Sequence, residues 1–142
     1  GMAEIEMDQE TCDFELVNYV AVVDCGTPIN PAIARVQTEG GLGQGIGMAM
    51  FEDVTRSEKG QVYENSFMQY KLPTRVDVGN IRVEFESSYE PTGPFGAKSI
   101  GEIVINTPSP AIASAVSHAV GVKVRELPIT AEKVFWGMQE ED

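Results

Sequence analysis

Phe14-Glu-Leu-Val-Asn-Tyr-Val-Ala-Val-Val-Asp24 is the stretch on which the fold turns. It is dense in valine and aromatic side chains, which suit the pleated, half-buried surface of a strand. Just upstream, Ala3-Glu-Ile-Glu-Met-Asp8 alternates apolar and polar residues, the period of a strand with one wet face. The polar turn Asp8-Gln-Glu-Thr-Cys12 separates the two, so together they read as a hairpin. Downstream, Cys25-Gly-Thr-Pro-Ile-Asn-Pro31 is a loop punctuated by Gly26, Pro28 and Pro31. Asn30 before Pro31 supplies a helix cap and a first-turn proline, and predicts a helix from Ala32 to about Asp53. That helix carries glycines at 40, 41, 43, 45 and 47. Each costs ~1 kcal/mol relative to alanine in a helix interior. Something has to compensate, either close helix packing or a ligand laid against the backbone. The run is neither a P-loop nor a dinucleotide fingerprint, because it lacks Gly-Lys-Ser/Thr and no strand leads directly into it.

Farther along, Ser57–Gly60 reads as a turn, Gln61–Gln69 as irregular or a short strand, and Lys71–Thr74 as extended around Pro73. Ile81–Ser87 alternates Ile, Val and Phe with charged residues and predicts a strand, and Tyr89–Gly96 a loop. Ser109-Pro110 predicts the opening of a helix that runs to Val120 and stops at Gly121. Ile112, Val116, Ala119 and Val120 are expected on its core face, with Ser114 and His118 opposite. Val122–Arg125 predicts a short strand and Ala131 to about Met138 a last helix. The fold class is α+β: an N-terminal hairpin, a glycine-rich helix, further strands and a C-terminal amphipathic helix. At 142 residues the length suits one domain, taken as residues 2–142, with Gly1 read as a remnant of tag cleavage.

The formal charge of −12 argues against nucleic acid and against anionic membrane surfaces. Part of the excess lies in Glu4, Glu6, Asp8 and Glu10 and in Glu140, Glu141 and Asp142, read as a solvated acidic surface. Cys12 and Cys25 form no CxxC pair and no metal spacing, which points to free thiols in a reducing cytoplasm. No apolar run is long enough to span a bilayer. His118, the lone histidine, reads as a surface residue; no Ser-His-Asp set and no metal-ligand motif is present, so no metal ligand is assigned.

Gly93-Pro-Phe-Gly-Ala-Lys-Ser-Ile-Gly-Glu102 carries the strongest chemical signal. Glycines let a loop approach a ligand closely, and the loop ends in one carboxylate. Glu102 precedes the apolar Ile103-Val-Ile105, so partial desolvation is expected, which suits a general base. A helix cap or a loop hydrogen bond is the other reading. In the glycine run, Gln44 offers an amide that both donates and accepts.

Gly96-Ala-Lys-Ser-Ile-Gly-Glu102 followed by Pro110-Ala-Ile-Ala-Ser-Ala115 resembles the C-terminal end of the molybdopterin subunit of the xanthine dehydrogenase and aldehyde oxidoreductase family. So do Asp24–Pro31, Glu39–Gly47, Ser66–Pro73 and Leu127–Val134, in the family's order. The resemblance implies hydroxylation of an N-heterocycle or an aldehyde with water as the oxygen source, with Glu102 as the base. It implies that Gln44, flanked by Gly43 and Gly45, and the loop Lys98, Ser99, Ile100 and Gly101 line a molybdopterin cofactor carrying molybdenum, the cytosine dinucleotide form among its variants. The metal would be held by the pterin, with no FAD or Fe-S site in this chain. The implied partners are the remaining molybdopterin-binding portion and Fe-S and FAD subunits, without which the chain is expected to be inactive. The rival expectation is a non-catalytic remnant that folds and self-associates as a homo-oligomer. Two departures stand out: Cys12 where a turn glycine is common, and Ile103-Val104 in place of a frequent Pro-Pro.

Overall fold

The computed structural model describes residues 1–140, and the expected acidic contribution of Glu141 and Asp142 lies outside the described residues. β1 (Met2–Met7) and β2 (Phe14–Asp24) pair antiparallel, as the hairpin reading requires. β3 (Asn80–Glu86) pairs with β2 in parallel, from Asn18↔Asn80 to Asp24↔Glu86, giving a sheet of order β1-β2-β3. Parallel neighbours need a long crossover, and the segment between β2 and β3 supplies it with α1 (Pro31–Met50). Asn30 caps α1 as expected, its side chain accepting from the Ile33 N–H at 3.2 Å.

Strand periodicity decides what is inside. Tyr19, Ala21, Val23 and Val83 point into the core, while Val22, Arg82 and Glu84 point out from the opposite face. Two helices cover the inner face: α1, and α2 (Pro108–Val120), which packs on β1 and on α1. Leu42, Ile46 and Ala49 of α1 meet Ile112 and Val116 of α2 there, all fully buried. The Arg35 guanidinium ties α1 to the sheet by donating to the Val83 carbonyl at 2.7 Å. α3 (Ala131–Glu140) closes the core with Val134. Among the described residues no helix is long and apolar enough to cross a membrane.

Three expectations are corrected. α2 begins at Pro108, not Pro110, and Thr107 occupies the cap position without a capping hydrogen bond. Its hydroxyl is taken instead by the Tyr19 hydroxyl, which donates to Thr107 Oγ1 at 2.8 Å in the core. Ala119 is exposed, because the buried stripe follows Pro108, Ile112 and Val116, four residues apart, and Ala119 lies a residue off that line. Val122–Arg125 forms no strand. The Val122 side chain is drawn instead under α3, where a Cβ on Gly137 would stand 2.5 Å from it.

Cys12 explains itself. It has φ 60°, the conformation that favours glycine, and its N–H donates to the Asp8 carbonyl at 2.8 Å. The buried thiol offsets the backbone cost.

The Tyr19–Thr107 bond gives a direct test of core polarity. Tyr19→Phe leaves the Thr107 hydroxyl a long 3.5 Å contact to the Val104 carbonyl and nothing better. It is expected to destabilise by about 1 kcal/mol in urea unfolding.

Candidate functional site

The loop after β2 and the loop ending in Glu102 cross at two glycines. Gly26 has φ 65°, and a Cβ on it would stand 2.3 Å from the Gly96 carbonyl oxygen, which only glycine permits. The crossing is an isolated antiparallel bridge, Gly26↔Ala97. Thr27 N–H donates to the Gly96 carbonyl at 2.9 Å and Lys98 N–H to the Cys25 carbonyl at 2.8 Å.

Charge reinforces it. Lys98 Nζ donates to Asp24 Oδ2 at 2.7 Å, and the other oxygen accepts from Ser88 Oγ at 2.6 Å and Gly26 N–H at 2.9 Å. The Lys98 ammonium, then Ser88 and the Gly26 N–H, hold the Asp24 carboxyl far below its ordinary range. The Asp24 hydrogen bond pushes Lys98 upward. A carboxyl depressed in the folded chain contributes stability above its unfolded value and loses it as pH falls through its folded one. The link is therefore expected to be intact at and above pH 3.8, the ordinary value, and to weaken only below it. The Gly26 amide resonance in an NMR titration checks this: it should move below pH 3.8 and not around it.

The loop faces the exposed side of α1 across a cleft of ≈ 560 Å³. Ile33 and Gln37 line it from the helix, and Lys98, Ile100 and Gly101 from the loop. Gln37, to which the sequence reading gave no role, donates from Nε2 to the Gly101 carbonyl at 3.1 Å. Its signal was its spacing: Gln37 and Gln44 are seven residues apart, about 10.5 Å and two turns along one helix face.

The expected site residues are thus partly gathered. Lys98, Ile100 and Gly101 meet at the cleft, with Ser99 exposed among them. Gln44 lies on the same open helix face two turns beyond Gln37, exposed, with Gly43 beside it. Gly45 faces the opposite way. A Cβ there would stand 2.6 Å from the Pro108 ring and 2.8 Å from the Ile105 carbonyl oxygen, so its service is packing α1 on α2.

Glu102 follows Gly101 at the rim. The expected desolvation is corrected: the residue is exposed, because the chain turns outward there before Val104 re-enters the core against Gly41. Its side chain caps no helix and pairs with no donor among the described residues.

The wall matches what a flat, heteroatom-rich cofactor needs. Gly40 and Gly43 leave bare helix backbone on the open face, with nothing within 4 Å of where their Cβ atoms would be. Gln37 and Gln44 put amides on that face, and Lys98 adds an ammonium at the cleft. No three His, Cys, Asp or Glu side chains among the described residues are grouped so as to hold a metal.

Residues 1–79 match the molybdopterin cofactor-binding domain family. The chain belongs to that family. The molybdopterin-domain chain is 37% identical over 137 residues to the gamma subunit of the 6-hydroxypseudooxynicotine dehydrogenase complex of Paenarthrobacter nicotinovorans, covering 94% of this chain and 17% of that one. It is 34% identical over 141 residues to the probable hypoxanthine oxidase of Escherichia coli (strain K12), covering 99% and 15%. Quinoline 2-oxidoreductase from Pseudomonas putida 86 superposes with a TM-score of 0.88 at 36% identity, over 97% of this chain and 18% of that one. Aldehyde oxidoreductase from Desulfovibrio gigas gives 0.86 at 28% identity, over 96% and 15%. The α+β fold is therefore that of a fragment of molybdenum-hydroxylase molybdopterin-binding domains. The chain spans less than a fifth of the length of these relatives.

Proposed function

We propose that residues 2–142 form one partial molybdopterin-binding domain. It supplies a cofactor wall and the base Glu102 for hydroxylation of an N-heterocycle or an aldehyde with water as the oxygen source. The observation that carries this is the Glu102 loop itself. Two backbone bonds, an ion pair and Gln37 fix it, and it ends in a carboxylate with no structural employment. A carboxylate at the end of a held loop, with no partner of its own among the described residues, supports that reading.

The molybdenum cofactor, when bound, supplies the redox chemistry of the hydroxylation. This chain's part is positional. Gln37, Gln44 and Gly43 on α1, with Lys98, Ser99, Ile100 and Gly101 opposite, would contact the cofactor's polar edge. Bare backbone at Gly40 and Gly43 admits it closely. Glu102 accepts the proton that the reaction releases on the substrate side of the rim. The cytosine dinucleotide form is the finer proposal for the cofactor.

The remaining molybdopterin-binding portion completes the site, with Fe-S and FAD subunits taking the electrons, in the cytoplasm. Support for a covering partner comes from apolar surface left bare: Val22 on the open sheet face, Ile33 and Val36 on α1, and Phe67 at 83% exposure. The test is reconstitution. This chain and the remaining portion are co-expressed, and hydroxylation of a purine or nicotinate is followed with molybdenum content measured alongside. Turnover that requires both pieces supports the reading. Equal turnover without this chain overturns it.

A further inference from the structure

The crossing of the two loops has more attachments than a bridge needs. Two backbone bonds between Gly26 and Ala97 and their neighbours fix where the loop crosses, but leave it free to pivot. The attachments on either side remove that freedom. On one side Lys98 reaches Asp24, and farther on Gln37 holds the Gly101 carbonyl, one residue before Glu102.

Asp24 is itself immobilised. Oδ1 accepts from Gly26 N–H and from Ser88 Oγ, so Oδ2 is presented to Lys98 in a set direction. Because β2 and β3 run parallel, Asp24 stands opposite Glu86 at their shared C-terminal end, and Ser88 comes from just past β3. One carboxylate therefore gathers the ends of both strands and the loop.

We propose that Asp24 is a positioning residue: through Lys98 it locks the Glu102 loop to the common end of β2 and β3. Its consequence for turnover rests on the reading of Glu102 as the base; the clamp itself does not. An exposed ion pair adds little to global stability, and Lys98 and Asp24 are 36% and 43% exposed. The effect of the clamp is therefore local.

The test is residue-resolved amide hydrogen exchange on the full chain. Asp24→Asn keeps the oxygen that serves Gly26 and Ser88 and places an amide against Lys98. Asp24→Asn and Lys98→Met should each speed exchange of the Lys98 N–H roughly fivefold, with the thermal midpoint and the Val22 amide unmoved. The double variant should exchange no faster than either single one, and Lys98→Arg should restore the wild-type rate. Unchanged exchange at Lys98 in Asp24→Asn, or additive effects in the double variant, overturns the clamp. In the reconstituted complex Asp24→Asn should lower kcat with KM held, and unaltered kcat overturns its positioning role. Glu102→Gln, run in parallel, should exchange like wild type. If it also turns over like wild type, the base reading fails while the exchange result still decides the clamp.

Discussion

Glu102→Gln in the reconstituted complex is expected to lower kcat by about 10²–10⁴-fold, the range in which a positioned base contributes. KM should stay close to its starting value, since a group used only in the chemical step is felt in kcat and kcat/KM equally. Glutamine keeps the size and loses the ability to take a proton. The carboxylate has no hydrogen-bond or ion-pair partner among the described residues, so its removal breaks no contact of the fold. The substitution should therefore leave thermal stability and molybdenum content unchanged, separating a lost base from a damaged site. Wild-type turnover by Glu102→Gln would sink the assignment.

Gly45→Val is expected to damage the packing of α1 on α2 severely, costing about 3 kcal/mol. That corresponds to a fall in the thermal midpoint of roughly 10 °C. The first added carbon already lies 2.6 Å from the Pro108 ring and 2.8 Å from a backbone oxygen, neither of which swings aside. α1 and α2 would have to separate, and Leu42, Ile46, Ile112 and Val116 would separate with them. Gly40→Ala and Gly43→Ala should do the reverse, each stabilising the isolated chain by up to ~1 kcal/mol, because their Cβ atoms meet nothing. On the proposed reading both should impair cofactor retention in the complex, measured as molybdenum per chain. Destabilisation by alanine at position 40 or 43 would contradict the open face.

Much of this was legible in the residues. The hairpin, α1 with its Asn30 cap, β3 and the Gly121 stop follow from local periodicity and from residues with one conformational use. The packing that the glycine run calls for is present on part of it. The run is divided by helix face: Gly41, Gly45 and Gly47 press on neighbours, and Gly40 and Gly43 do not. No local rule could make that division, because it depends on where Val104 and Pro108 arrive from sixty residues away. The same limit hid Gln37, whose role depends on Gly101, and Asp24, whose role depends on Lys98 and Ser88. The α2 start failed for a related reason. Two Xaa-Pro pairs, Thr107-Pro108 and Ser109-Pro110, offer the same local signal, and Tyr19 in a distant strand claims the first hydroxyl.

The short sheet also bears on how copies of this chain treat one another. Three strands leave two outer edges, one on β1 and one on β3, each a row of backbone groups able to recruit another strand. Glu4 and Glu6 punctuate the first edge, and Arg82, Glu84 and Glu86 the second. Edge-to-edge stacking of β1 on β1 would bring Glu4 and Glu6 of one copy near those of the other. The charge on Glu4 and Glu6 thus works against β1 of one copy pairing with β1 of another.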